Sequence, residues 1–248
     1  MTPRKSHSIS LGPQDRVFVL TGAGISAESG LATFRGSDGL WEGERVEDVA
    51  TPRGWKKDPD RVWRFYSQRR LAALAAQPNA AHRALAGLEE RLGSDRFFLC
   101  TQNVDDLHER AGSANLVHMH GELFLSCCDS CTREPFRDER LYPAKADHAF
   151  CTCGGRIRPD IVWFGEVPYH MERIFEELAR CTVMLVIGTS GVVQPAASFV
   201  HWANEHHPQR EAVRTYYVGP EHPANAAAFD EVFEGRAGEI LPALLGVE

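Results

Sequence analysis

No apolar stretch in this sequence approaches the roughly 20 residues needed to span a bilayer. The longest, around Met184 to Ile187, has the length of a strand and soon meets Gly188. Residues 1–15 are polar and lack the apolar core of a secretory leader, so a cytoplasmic location is expected. Basic excess is missing too. The 27 Lys and Arg residues against 34 Asp and Glu give a formal charge of −7, which argues against a surface built to displace counterions from a nucleic acid. There is no internal repeat, no low-complexity segment and no Pro/Gly-rich linker. What remains is an ordinary globular composition, 43% hydrophobic and 25% charged over 248 residues. That length fits one large domain, or one domain carrying a smaller insertion, and a monomer is compatible with it.

The hydrophobic pattern predicts an α/β fold. Arg16 to Leu20, Phe97 to Thr101, Val183 to Gly188 and, more weakly, Thr215 to Gly219 are short apolar runs that read as buried parallel strands. Between them lie helices: one from Val62 to Ala76, ending before Pro78, and one capped by Asn79, with Leu85, Leu88 and Leu92 on one face and Gly93 at its end. Strands alternating with helices imply a parallel sheet covered on both faces, with ligands at the carboxyl ends of the strands. Residues 31–60 carry turn signals (Asp38-Gly39, Thr51-Pro52, Asp58-Pro59) and read as a functional loop or a small helical insertion.

The seven cysteines are an odd number in a chain expected to stay reduced, which favours a metal site or buried thiols. Cys100 and Cys181 lie in apolar runs and read as core. The other five fall within 27 residues, in a stretch from Cys127 to Arg158 too poor in apolar residues to order itself without a metal. Cys128-Asp-Ser-Cys131 and Cys151-Thr-Cys153, with 19 residues between the pairs, supply four thiolates. Four sulfurs close a tetrahedral zinc sphere and leave no position for water, so the site is expected to be structural. Cys127 is the alternative to Cys128, disfavoured because a two-residue gap spaces the ligands better.

Three further clusters bear chemistry. Gly22-Ala23-Gly24-Ile25-Ser26-Ala27 follows a strand and precedes a plausible helix, a context in which glycines let the backbone approach a pyrophosphate; the plain alternative is a tight turn. No strand-borne acid follows at the spacing used by hydride-transfer enzymes, since Glu47 and Asp48 sit in loop-like sequence. Gln102, Asn103 and Asp105 follow a strand end, where they suit a sugar and a carboxamide or else cap a helix. His118 and His120 share one face of an extended segment, and His120 is either a general base or a structural histidine.

Taken together and in order, Gly22 to Arg35, Thr101-Gln-Asn-Val-Asp-Asp-Leu-His108, His120-Gly121, the four cysteines, Val162-Trp-Phe-Gly-Glu166 and Gly188-Thr-Ser190 resemble the sirtuins, most closely their bacterial deacylases. The resemblance implies a Rossmann-type sheet domain (10–40, 77–122 and 160–248), a helical insertion (41–76) and a zinc module (123–159). It also implies a protein-lysine deacylase that consumes NAD as co-substrate, giving nicotinamide and O-acyl-ADP-ribose. Gly22, Ala23, Gly24, Ser26 and Ala27 would cradle phosphates with Arg35 nearby, Phe34 would shield the reactive sugar, and Trp41 would also belong to the cofactor site. Gln102, Asn103 and Asp105 would hold the nicotinamide ribose and carboxamide, and Gly188, Thr189 and Ser190 the adenosine. Asn103 and His120 would be catalytic, His120 as the base that activates a ribose hydroxyl. Val162, Trp163 and Phe164 would run as a strand beside the acyl-lysine peptide.

Tyr66 and Arg69 lie three apart on a helix, where phenol and guanidinium can converge on a carboxylate. Alone, they read more readily as a packed tyrosine and a surface arginine. Within the family they resemble the signature of sirtuins that remove succinyl and malonyl groups, and the small Ala50 would widen the acyl pocket. Two departures stand out: Val104 replaces the commoner isoleucine, and Tyr217-Val-Gly-Pro-Glu221 lacks the late asparagine that meets the adenosine ribose. The competing readings are an NAD-linked oxidoreductase with structural zinc and a non-catalytic zinc-module scaffold.

Overall fold

The computed structural model describes residues 8–33, 40–206 and 213–247. From the amino end, β1 (Val17–Thr21) leads into two 3-10 turns, Ala23–Ile25 and Ala27–Ser29. A hairpin of β2 (Leu40–Trp41) and β3 (Glu44–Arg45) opens a helical stretch of α1 (Val46–Val49), α2 (Pro52–Lys57) and α3 (Pro59–Ala75). The chain returns through α4 (Ala80–Leu92), β4 (Phe97–Thr101), α5 (Leu107–Ala111) and β5 (Leu116–His118). Next come β6 (Gly121–Cys128), β7 (Phe136–Arg137) and β8 (Ile157–Ile161). The last elements are α6 (Met171–Arg180), β9 (Val183–Ile187), α7 (Phe199–His206), β10 (Arg214–Gly219), β11 (Glu231–Glu234) and α8 (Ala237–Leu245).

The large sheet has the order β11-β10-β9-β1-β4-β5 and is parallel throughout. Both faces are covered, which is why β1, β4 and β9 are continuous apolar runs rather than alternating ones. Val17, Val19, Leu99 and Leu185 face α4 and α8 through Leu85, Leu88, Leu241 and Leu244. The alternate residues Phe18, Leu20, Phe98, Met184 and Val186 face Ile174 and Leu178 of α6 and Phe199 and Val200 of α7. Cys100 and Cys181 lie in that second layer, as expected, and burial pushes the Cys181 thiol up to about 12. Asn79 caps α4 as predicted, accepting from the amides of Ala81 and His82, and Gly93 ends it. Successive strands leave β1 in opposite directions, so β1 and β9 form the switch point at which a parallel sheet opens a ligand crevice.

A third core joins the helical insertion to the cysteine module. Val62, Trp63 and Tyr66 of α3 pack with Leu123, Phe124, Tyr142, Ile157 and Trp163 around the small antiparallel sheet β7-β6-β8. Arg70, wholly buried, donates from α3 to the carbonyls of Leu123 (2.8 Å) and Arg140 (2.6 Å) and lies 3.7 Å from Asp138. Burial would raise the Asp138 carboxyl, but donors on Arg140, Tyr142 and Ser126 outweigh it and hold the group at about 2.

The helix expected behind the glycine-rich turn does not form. The chain makes two 3-10 turns and leaves them through Gly30, at φ 87°. The side-chain amide of Asn79 donates to Ile25 O (2.8 Å) and Ser29 Oγ (3.0 Å), fastening the segment to the start of α4 instead of letting it wind on.

Candidate active site

The carboxyl ends of β1, β4 and β9 meet at one edge. The amides of Gly22 and Gly24 donate to Ile187 O and Gly188 O, each at 2.9 Å, so these glycines bind the loop after β1 to the loop after β9. The contact admits no side chain: a Cβ on Gly24 would stand 2.7 Å from Gly188 Cα, and Gly188 itself has φ 62°. Ala23, Ser26 and Ala27 follow on the same loop.

At the end of β4, Asn103 Nδ2 donates to Ser26 Oγ (3.2 Å), whose hydroxyl donates to Asp105 Oδ2 (3.1 Å). All three side chains are buried. Burial raises the Asp105 carboxyl, against donors on Leu107 and Ser26. The two histidines grip successive carbonyls of this loop: His118 Nδ1 donates to Asn103 O (2.8 Å) and His120 Nδ1 to Gln102 O (3.1 Å). His118 also meets Glu109 at 2.7 Å through Nε2. Burial works against its charge, but Glu109 and the Asn103 carbonyl outweigh it and raise its pKa. His120 has no carboxylate partner of this kind, and burial lowers its pKa despite the Gln102 carbonyl. A carbonyl only accepts, so the His120 proton sits on Nδ1 and the Nε2 lone pair is left as a base. Gly121 follows at φ 82°, where a Cβ would strike Asp160 O.

Beyond β9, Leu20, Gln102, Thr189, Ser190 and Gly191 line a cleft together with Asn225. Asn225 is the residue that sequence reasoning missed. Its Nδ2 donates to Ala197 O (2.9 Å), while its Oδ1 is buried without a hydrogen bond. It lies beside Thr189 and Ser190, where the resemblance placed adenosine and the expected asparagine is missing.

Tyr66 and Arg69 do converge, against the indole of Trp41. The Tyr66 ring lies 6.5 Å from it and the Arg69 guanidinium 4.3 Å above it. Trp163 Nε1 donates to Tyr66 Oη (3.1 Å), which leaves the phenol its own proton to give, and burial raises that proton's pKa well above the ordinary phenol. Arg69 has a side chain only 10% exposed, so it is no surface arginine. Burial lowers its pKa against the charge of Glu42, whose Oε2 is 2.8 Å from Nη1. Ala50 is buried in the same core.

The strand expected at Val162 to Phe164 is corrected. β8 stops at Ile161, and the amides of Val162, Trp163 and Phe164 donate to His120 O, Glu166 Oε2 and Ala50 O. Those three amides are thus engaged within the described residues. The Trp163 side chain is core, whereas that of Phe164 is half exposed. Phe34 and Arg35 lie outside the described residues.

Cys128, Cys131, Cys151 and Cys153 bring their sulfurs within 4.8 Å of one another, at 3.5 Å for Cys128–Cys153 and 3.8 Å for Cys131–Cys151. Four thiolates around zinc at ~2.3 Å stand roughly 3.8 Å apart, so the cluster fits one zinc with no open position. The amides of Ser130 and Gly155 donate to Cys128 Sγ and Cys153 Sγ, each at 3.4 Å, as a thiolate site requires. A Cβ on Gly155 would stand 2.7 Å from Cys128 Sγ, which explains the glycine after Cys153-Gly154. Cys127 is not part of the cluster; burial pushes its thiol up to about 12.

The fold and site define a parallel-sheet α/β protein with a crevice at its switch point and a four-thiolate module set beside it. The Sir2 family model matches residues 22–195, and the chain belongs to that family, the sirtuins. The NAD-dependent protein deacylases of Shewanella oneidensis and Escherichia coli strain K12 are each 48% identical to it over 231 residues, which cover 92% of this chain and 92% and 80% of theirs. A crystal structure of a Sir2 homologue–NAD complex matches with a TM-score of 0.82 at 38% identity, covering 97% of this chain and 94% of that one. A Sir2 bound to acetylated peptide matches at 0.78 and 26% identity, covering 93% and 92%. Among the described residues, no helix is long and apolar enough to cross a membrane.

Proposed function

We propose that this chain is a cytoplasmic NAD-dependent protein-lysine deacylase that removes acetyl groups and, through Tyr66 and Arg69, succinyl and malonyl groups. The observation that carries the reading is His120, fixed by the Gln102 carbonyl with Nε2 unprotonated, beside the Asn103–Ser26–Asp105 chain at the carboxyl end of β4. In this reading segments 10–40, 77–122 and 160–248 carry the dinucleotide, 41–76 shapes the acyl pocket, and 123–159 is held by one structural zinc.

NAD, when bound, supplies the ADP-ribose that accepts the acyl group and the nicotinamide that leaves. The groups present suit that chemistry. Gly24 and Gly188 let backbone approach closely at the β1 and β9 ends, and Asn225 Oδ1 offers a buried acceptor beside Thr189 and Ser190. Asn103, oriented by Ser26 and by its own carbonyl bond to His118, presents its amide at the reaction centre. His120 Nε2, unprotonated, would take up the proton of a ribose hydroxyl of the bound co-substrate and so act as the general base. Trp41 and Trp163 wall the acyl pocket against water, which strengthens the grip of Arg69 and the Tyr66 hydroxyl on a terminal carboxylate. The peptide backbone is received beside Val162 to Phe164.

The test is mass spectrometry of matched acetyl-lysine and succinyl-lysine peptides with and without NAD. NAD-dependent loss of acyl, with nicotinamide and O-acyl-ADP-ribose appearing, is expected, and His120→Tyr should abolish it with fold and zinc retained. No turnover of either peptide would overturn the reading. Arg69→Met should cut desuccinylation about 10- to 100-fold more than deacetylation, from the ~1.5–3 kcal/mol that hydrogen bonds to a charged group contribute. Equal losses would return Tyr66 and Arg69 to packing.

A further inference from the structure

Arg69 is not alone in its pocket. Glu42, from the tip of the β2–β3 hairpin, reaches it with Oε2 2.8 Å from Nη1. Three observations suggest that this carboxylate is a temporary occupant. The first is alignment: neither Nη1 nor Nε of Arg69 makes a hydrogen bond, although both are buried, so the pair is close but poorly directed and two donors remain for another acceptor. The second is backbone conformation. Glu42 and Gly43 are the two central residues between the paired Trp41 and Glu44, at φ 51° and 81°. Such hairpin turns favour Asn, Asp or Gly at the first position, and a glutamate there is strained. The third is access. The Glu42 side chain is 33% exposed against 10% for Arg69, and the hairpin that carries it is a ladder of two residue pairs, so the carboxylate can turn out to water while the guanidinium stays.

A guanidinium set against the rings of Trp41 (4.3 Å) and Phe65 (5.7 Å) needs a counter-charge when no substrate is present. We propose that Glu42 is a tethered substitute for the terminal carboxylate of a dicarboxylic acyl group, neutralising Arg69 while the pocket is empty and displaced when succinyl- or malonyl-lysine enters. It therefore sets the preference between dicarboxylic and neutral acyl groups. This rests on the assignment of Arg69 as the carboxylate-binding residue. A neutral acetyl group has no need to displace Glu42, whereas a succinyl group competes with it. A part-exposed ion pair favours the occupied arrangement about fivefold, and the apparent affinity for the competing acyl group is lowered by about the same factor.

The experiment compares succinyl-lysine and acetyl-lysine peptides on wild type, Glu42→Gln, Glu42→Gly and Arg69→Met, by kcat/KM and by calorimetric binding without turnover. Glu42→Gln keeps the shape and removes the charge; Glu42→Gly also relieves the strained φ. Both should raise the succinyl-to-acetyl ratio of kcat/KM about fivefold, chiefly through KM, and tighten succinyl-peptide binding by the same factor. If Arg69→Met impairs the two acyl groups equally, the assignment of Arg69 fails. If Arg69→Met is selective but the Glu42 variants keep the wild-type ratio and affinity, the competition alone is refuted. A lowered succinyl ratio in Glu42→Gln would also refute it, showing that Glu42 orients Arg69 for substrate.

Discussion

Acidification should unfold this protein through two histidines that never touch substrate. His82 of α4 and His108 of α5 are fully buried, with ring centroids 4.8 Å apart. His82 Nδ1 accepts from the Asn79 amide (3.3 Å), so its proton is on Nε2, which has no partner. The Thr21 hydroxyl donates to Thr101 Oγ1, so His108 Nε2 donates to Thr21 Oγ1 (3.0 Å) and leaves Nδ1 unprotonated. A second proton on either ring would place a charge among apolar neighbours. Burial, helped by Arg83, lowers His82 to about 4; burial, helped by His82 and His118, holds His108 well below 6.5. The folded pKa values lie below the unfolded one, so the unfolded chain takes up protons first and stability is lost as pH falls below about 6.5, by ~1.4 kcal/mol per pH unit and histidine. At about pH 5 that is ~2 kcal/mol for His82, a sizeable part of the 5–15 kcal/mol typical of a domain, and His108 acts in the same direction. His118 works in the opposite direction: its raised pKa adds stability that is full below its unfolded value and fades as pH rises. The decisive quantity is therefore a difference between variants. His82→Asn keeps an acceptor for the Asn79 amide and removes the titration. In urea unfolding with zinc held in excess, wild type should lose ~2 kcal/mol more than His82→Asn between about pH 7 and about pH 5. Equal losses in the two proteins would refute the reasoning.

Asn225→Ala should raise KM for NAD about 3- to 10-fold, the effect of one neutral hydrogen bond, with far less change in KM for the acyl peptide; steady-state kinetics with each substrate varied in turn checks it. Because burial lowers the pKa of His120, the acid limb of kcat/KM should fall below the ordinary histidine value near 6.5, with activity lost as the pH drops through the lowered pKa and the base takes on a proton; a limb above that value would contradict the site geometry. Removing zinc with a chelator should loosen the small lobe, seen as loss of near-ultraviolet dichroism from Trp55, Trp63 and Trp163, and Gly155→Ala should make zinc easier to remove because its Cβ crowds Cys128 Sγ.

The central strands were legible because burial on both faces leaves a run with no polar interruption, and α4 because Asn79 and Gly93 mark its ends chemically. The cysteine ligands were legible because metal spacing is a local property. What escaped depended on neighbours distant in sequence. The glycine-rich turn has the residues of a helix start, but Asn79 and Gly188, at 79 and 188 in the chain, decide that it folds as 3-10 turns. Asn225 carries no signal of its own; only the packing of the loop after β10 against Gly191 and Ala197 sets its amide beside Thr189. Val162 to Phe164 are expected as a strand from the family resemblance, yet their amides are taken by His120, Glu166 and Ala50. Arg69 and Arg70 are adjacent and of one type, and sequence singled out only the first.

Those two arginines link the four-cysteine module to the proposed acyl pocket. Successive residues of a helix point about 100° apart, so α3 sends Arg70 into the cysteine module and Arg69 into the pocket. Arg70 is fixed by main-chain carbonyls at Leu123, within β6, and at Arg140, just past β7, in the module that the thiolate cluster closes. Tyr66, one turn before it, is fixed by Trp163, which follows β8 of the same small sheet. Tyr66 and Arg69, the two groups of the proposed acyl pocket, therefore stand on a helix packed against the cysteine module and tied to α5 through Arg110, which donates to Ala73 O and Ala76 O. In the proposed reading, a metal that performs no chemistry bears on the geometry of acyl recognition, because the arginine beside Arg69 is the one bonded to the module that the four cysteines close.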